Sequence, residues 1–354
     1  MYQNFYGLRE LPFELTPNPK YLFLPPQHRE ALSALEYGLS SAKPITVLIG
    51  EAGTGKTTLI HAALESERCR GVRCVYVNNP LLTRKEFIET LSHRFSLSAH
   101  AASSKAVLLD ELGRVLQEGR DRGQITALVI DEAQGMSGTL LEEIRLLANQ
   151  ETATRRLLPV VLAGQPELSY RLNEPGLRQL KQRVTLRCEV TPFDLRQTAA
   201  YIGHRVRVAG GDAGRLFTRE AVMLIHERSG GIPRTISVMC DNALLTGFAL
   251  GRQPIDAAII REVALDFDLA APLTEHTAFE HYATEHAPAL DAGSAVAPAI
   301  SVAAPVQEQE PELETDAASA ETVAPPDPPV VERDRDLFFA FKGRPRFSLF
   351  GRRS

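Results

Sequence analysis

The sequence predicts an α/β fold with a parallel sheet, followed by a small all-helical lid domain and a disordered C-terminal tail. Three observations carry that expectation. From residue 45 to about 190, short apolar runs alternate with amphipathic stretches, as when strands are buried on both faces by crossover helices. After Pro192 the strand signals stop and helical periodicity continues to about Phe267. From about residue 270 the chain turns to Ala, Pro, Glu and Thr with few aromatic residues, a composition that cannot bury a core. The 354 residues therefore divide into an N-terminal segment packing on the core (1–44), an α/β domain (45–191), a helical lid (192–269), a disordered acidic linker (270–335) and a basic-aromatic tail (336–354).

The elements follow from the pattern. Strands are expected over 45–49, 73–77, 127–130, 160–163 and 185–190, each a short apolar run bounded by polar or turn residues. Helices are expected near 57–67, 84–95, 106–120 and 139–149. The second of these shows the helical period in Phe87, Ile88, Leu91 and Phe95. In the lid, helices are expected over 196–208, 218–228, 233–250 and 257–267. Thr218 is a fitting helix start, and Pro233 suits a first turn, where a missing N–H costs nothing.

Charge separates the regions. From Glu262 to Glu332 there are 15 acidic residues and no Lys or Arg; residues 333–354 carry 7 basic and 2 acidic; residues 1–261 carry 32 basic and 27 acidic. The folded part is thus mildly basic, and the formal net charge of −5 belongs to the spacer. No run of apolar residues is long enough for a membrane helix, and the start lacks the charged-then-apolar pattern of a secretory signal. The expectation is a cytoplasmic chain, with peripheral contact at a membrane open to its tail, where Phe338, Phe339, Phe341 and Phe347 mix with Lys342, Arg344 and Arg346. Cys69, Cys74, Cys188 and Cys240 are scattered, without a second pair to complete a zinc site, and read as ordinary reduced thiols.

The most informative feature is Gly50-Glu51-Ala52-Gly53-Thr54-Gly55-Lys56-Thr57-Thr58, directly after the apolar run Ile45-Thr46-Val47-Leu48-Ile49. It is a complete G-x-x-x-x-G-K-[ST] loop between a strand and a helix. Its glycines let the backbone curl so that N–H groups point at an anion, and the next helix adds its positive end. Lys56 is placed for the β- and γ-phosphates and Thr57 for Mg²⁺. About 75 residues on, Leu128-Val129-Ile130 ends in Asp131-Glu132. In that setting Asp131 would hold Mg²⁺ and Glu132 would orient and deprotonate an attacking water. Val160-Val161-Leu162-Ala163-Gly164 ends in Gln165, placed for the γ-phosphate or the lytic water. Arg183, before the last strand, and Arg178 are candidates to enter a neighbouring subunit's site. Arg234, in Gly230-Gly231-Ile232-Pro233-Arg234, is placed to reach the γ-phosphate from the lid.

Together these features resemble an AAA+ ATPase. The N-terminus sharpens the match. Met1-Tyr2, Phe5-Tyr6-Gly7-Leu8, Pro12-Phe13, Leu15-Thr16-Pro17-Asn18-Pro19 and His28-Arg29-Glu30-Ala31-Leu32 resemble the opening of the general secretion pathway protein A (ExeA-like) ATPases. Asp131-Glu132-Ala133-Gln134 and Gly164-Gln165-Pro166-Glu167-Leu168 fit as well. The resemblance spans roughly residues 1–267. It implies ATP as the nucleotide, Mg²⁺ as the metal, a homo-oligomer completed in trans by Arg183, a protein partner in an export system, and Tyr21, Leu22 and His28 as base-pocket residues. Secretion members often continue into a membrane span and a peptidoglycan-binding domain, which this sequence replaces with the acidic spacer and tail. The alternative reading is a DNA-associated AAA+ ATPase of the transposition-regulator or origin-recognition type, which the basic folded part permits.

Overall fold

The computed structural model describes residues 1–16 and 18–268; the linker (270–335) and tail (336–354) expected above lie outside them. Five strands, β1 (Ile45–Gly50), β2 (Val72–Val77), β3 (Ile125–Ile130), β4 (Val160–Gly164) and β5 (Val184–Val190), form one sheet in the order β2-β3-β4-β1-β5. Every pairing is parallel. Each strand coincides with an expected apolar run, its ends shifted by about two residues or fewer, the usual uncertainty of such boundaries.

Side-chain alternation divides the sheet between two cores. Ile45, Val47 and Ile49 of β1, Leu128 and Ile130 of β3, and Val160 and Leu162 of β4 face one core, with Phe87, Leu112 and Ile144 from three helices. Leu48, Val129, Val161 and Ala163 face the other, with Leu35 and Leu39 of helix Pro26–Ser40 and Ile60 of helix Lys56–Glu65. The period of two in a strand buried on both faces explains why β1 has no polar face and is wholly buried.

The helix Pro26–Ser40 had no counterpart among the expected elements. Its signals are Pro26 in the first turn and the buried series Ala31, Leu35 and Leu39 at four-residue spacing. The expected single N-terminal segment, 1–44, in fact divides between two cores. Its helix covers the sheet, whereas Tyr2, Tyr6, Leu8 and Phe13 are buried among the lid helices with Ile202, Phe217, Ile236 and Met239.

The lid consists mainly of helices Leu195–Val208, Arg219–Ser229, Pro233–Ala249 and Ala257–Asp266. Their starts are chemically marked. The Asp194 side chain accepts from the amide of Gln197 in a capping box, Thr218 accepts from Ala221, and Pro233 occupies the first turn.

The strand order positions the site. The chain leaves β1 for the far edge at β2, returns through β3 and β4, then crosses β1 to reach β5. This sets the carboxyl ends of β1, β4 and β3 side by side, at the switch point where open parallel sheets bind ligands.

Candidate functional site

At the end of β1 the chain makes a tight loop. A Cβ on Gly50 would lie 2.6 Å from the Val190 carbonyl oxygen of β5, so only glycine lets the two strand ends approach this closely. Gly53 (φ 82°) and Gly55 (φ 97°) adopt left-handed backbone, and the helix Lys56–Glu65 starts without a side-chain cap. Residues 53–58 line a cleft of about 380 Å³. The arrangement offers first-turn amides and the positive helix end to an anion. Lys56 is 5% exposed. Its ammonium donates to the carbonyls of Gly50 (2.7 Å) and Glu51 (3.1 Å). Burial pushes its pKa down from the usual lysine range, opposed by the carboxylates of Glu132, Asp131 and Glu51. An incoming polyanion would further favour the charged form.

At the end of β3, Asp131 is buried, and its carboxylate ties the loop to β2. Its Oδ2 accepts from the Thr57 hydroxyl at 2.8 Å and from the Tyr76 hydroxyl at 2.5 Å, and its Oδ1 accepts from the Glu132 amide at 2.9 Å. A carboxylate and a hydroxyl at this spacing form an all-oxygen donor set, which suits a hard divalent cation such as Mg²⁺. Glu132 follows with φ 54° and ψ 36°, a left-handed conformation unusual for a residue with a side chain. Glu132 lines the cleft. Its Oε2 accepts from the Gln134 amide at 2.7 Å and the Gln165 amide at 3.5 Å.

Gln165, at the end of β4, is thus brought beside Glu132, and its backbone N–H donates to the Gln134 side chain at 3.0 Å. Arg234 lines the cleft from the lid and is exposed; its backbone N–H donates to the Gly53 carbonyl at 3.2 Å. A Cβ on Gly53 would lie 2.9 Å from the Arg234 Cβ and 3.0 Å from Ile232, so the lid rests directly on the loop. Arg183 and Arg178 are elsewhere. Arg183 precedes β5, whose Val184 pairs with Ile45 at the amino end of β1. The five-residue run from Ile45 to Gly50 puts it about 17 Å from the loop along the strand, and it does not line the cleft.

The far end of the cleft is formed by the N-terminal segment and the lid. Tyr21, Leu22 and His28 line it together with Phe193, Tyr201 and Arg205. His28 is buried against Phe193 (ring centroids 5.2 Å apart), and its Nε2 contacts the Thr54 carbonyl at 3.0 Å. Burial lowers its pKa below the ordinary 6.5, so the neutral ring donates from Nε2 to that carbonyl.

Sequence reasoning missed three contributors. Tyr76 lies on β2, where its residue reads as an ordinary strand aromatic; its ring stacks on His61 (5.6 Å, 21°) and delivers its hydroxyl to Asp131. Gln134 reads in the sequence only as part of the Asp131-Glu132-Ala133-Gln134 motif, yet it touches both Glu132 and Gln165. Arg205 looks like any helix arginine in the sequence, and its burial arises only when the N-terminal segment folds over the lid.

Residues 39–172 match the family profile described as the AAA domain. The chain is 40% identical over 255 residues to General secretion pathway protein A of Aeromonas hydrophila, a match covering 72% of this chain and 46% of that protein. The chain therefore spans about half the length of the curated relative it matches. Among solved structures, the fold resembles ORC2 of Aeropyrum pernix in its ADPNP-ADP complexes (TM-score 0.53, 16% identity, covering 77% of this chain and 75% of that one). It also resembles Cdc6p of Pyrobaculum aerophilum (TM-score 0.55, 16% identity, covering 75% and 73%).

Proposed function

Starting from a chain that belongs to the AAA+ ATPases and is of the general secretion pathway protein A type, we propose that it binds and hydrolyses Mg-ATP and uses the cycle to move its lid against the α/β domain. The observation that carries this reading is that Lys56, Thr57 and Glu132 line one cleft that the lid also lines through Arg234, with Asp131 accepting from the Thr57 hydroxyl.

The steps follow from the residues. The amides of residues 53–58 and the Lys56 ammonium bind the phosphate chain, and Lys56 leaves its carbonyl partners to do so. Thr57 and Asp131 are the residues that would hold Mg²⁺. The bound ion would supply charge neutralisation at the β- and γ-phosphate oxygens. Glu132 accepts the proton of the attacking water, while the amides of Gln134 and Gln165 hold its carboxylate in place. Arg234 pairs with the γ-phosphate from the lid and makes lid position depend on whether that phosphate is present. Arg183, remote from its own cleft, acts on the site of a neighbouring copy, so full turnover requires an oligomer.

The partner is proposed to be a protein of an export system, by extension from the secretion-pathway relative. The likeness to ORC2 and Cdc6p is one of fold and brings no nucleic-acid role with it. Among the described residues no helix is long and apolar enough to cross a membrane. The direct test is Glu132→Gln. It should bind ATP as the unsubstituted protein does and hydrolyse it about 10²–10⁴-fold more slowly in single-turnover assays, the range for loss of a general base. An unchanged rate would reject the role given to Glu132.

A further inference from the structure

We infer that Arg205 builds the base end of the cleft by fastening Pro12, Phe13, Glu14 and Tyr21 of the N-terminal segment to the lid, so that the nucleoside is recognised by a surface that travels with the lid. The inference rests on the nucleotide reading above and extends it to a residue and a division of labour.

Arg205 lies on the lid helix Leu195–Val208 and is 9% exposed. Its guanidinium reaches both bodies at once. Nε donates to the Pro12 carbonyl at 2.5 Å and Nη2 to the Glu14 carbonyl at 2.9 Å. Nη1 donates to the Tyr201 hydroxyl at 2.8 Å and, at 3.5 Å, to the Ser237 hydroxyl, both on lid helices. The same group lies over the rings of Tyr21 (4.9 Å), Tyr201 (5.6 Å) and Phe13 (6.0 Å). Its acceptors in these bonds are all neutral oxygens.

Burying a guanidinium is costly, and the cost is ordinarily offset by a carboxylate. Here carbonyls, hydroxyls and ring faces take that place. They fix the group without cancelling its charge, and it lines the cleft beside Tyr21, Tyr201, Ser237, Glu14, Leu15 and Thr16. None of these neighbours belongs to the sheet. They come from the N-terminal segment, whose Phe13 is buried in the lid core, or from the lid itself. The phosphate loop, by contrast, is continuous with β1. A nucleotide therefore reaches both the phosphate loop and the surface around Arg205, whereas a bare polyphosphate, held by the loop and Arg234, does not reach the Arg205 surface. Lysine cannot replace Arg205, because a single ammonium cannot span carbonyls and hydroxyls in the planar fork that this geometry uses.

Affinities for Mg-ATP and for Mg-tripolyphosphate, measured by competition with a fluorescent ATP analogue, test the assignment in the full chain and in Arg205→Lys and Arg205→Gln. ATP affinity should fall about tenfold or more in both variants, as two or more hydrogen bonds are lost, while tripolyphosphate affinity stays unchanged. Parallel losses for both ligands, or no loss for either, would overturn the role of Arg205. A wild-type protein that binds neither ligand would instead overturn the nucleotide reading itself. A readout without substitution guards against variants that fail to fold. Lys20 is exposed and lies in the fastened segment, so ATP should slow tryptic cleavage there and tripolyphosphate should not. Equal protection by the two ligands contradicts the inference.

Discussion

The phosphate end of the cleft comes from strand termini that are neighbours in one sheet, whereas the base end joins a segment at the start of the chain to a helix 193 residues later. The first is held by β1, which is paired on both sides and wholly buried, so its geometry is fixed once the sheet forms. The second exists only after the lid has closed its own core around Tyr2, Tyr6 and Phe13. The difference teaches where rigidity and movement belong. Charge is met by a fixed cradle that Arg234 completes from the lid, and the nucleoside is met by the part that moves.

Breaking the phosphate end should have the largest effect. Lys56→Ala removes a buried cation that would pair with phosphate, and affinity for Mg-ATP in equilibrium binding should fall about a hundredfold, the scale of charge-assisted hydrogen bonds in a partly dry site. Unchanged binding would mean that the two ends have been assigned the wrong roles. A smaller effect sharpens the phosphate end. Tyr76→Phe keeps the ring stacked on His61 and deletes the hydroxyl that steadies Asp131. The Mg²⁺ concentration needed for half-maximal ATP binding should rise about tenfold, as when an outer partner of a metal ligand is lost. ATP binding in the absence of Mg²⁺ should not change. If it weakens equally, Tyr76 is a packing residue only.

The smallest effect concerns the base end and the lid. Burial lowers the pKa of His28, His204 and His226, with the Arg207 and Arg205 charges adding to the effect at His204. The unfolded chain takes up protons as pH falls through about 6.5, and the folded chain resists until their depressed folded values are reached. Stability contributed by the neutral rings is therefore present above pH 6.5 and is lost as pH falls below it. The melting temperature should decline between about pH 6.5 and 5, and His28→Gln should flatten part of the decline. A melting temperature that rises over that interval would contradict the sign.

Much of the phosphate end was legible because its chemistry is contiguous. Gly50 to Thr58 is a loop between a strand and a helix whatever the rest of the chain does, and Asp131-Glu132 closes an apolar strand that must end near it in a parallel sheet. The strand order was not legible, because each strand carries the same two-faced apolar pattern and nothing local tells β4 to insert between β1 and β3. Tyr76 and Arg205 were hidden for a related reason. Their roles depend on partners 55 and 193 residues away, and their own neighbourhoods read as ordinary strand and helix. The helix Pro26–Ser40 did leave a signal, but its Ala31, Leu35 and Leu39 stripe is narrow and is interrupted by exposed and half-exposed residues.

The loop after β1 is proposed to be a polyphosphate cradle. A crystal structure with Mg²⁺ and a non-hydrolysable ATP analogue tests it most directly. The expected result has the phosphates on the amides of residues 53–58, Lys56 turned from the Gly50 and Glu51 carbonyls toward them, and the metal beside Thr57 and Asp131. An analogue bound elsewhere, with Lys56 still on those carbonyls, would contradict it.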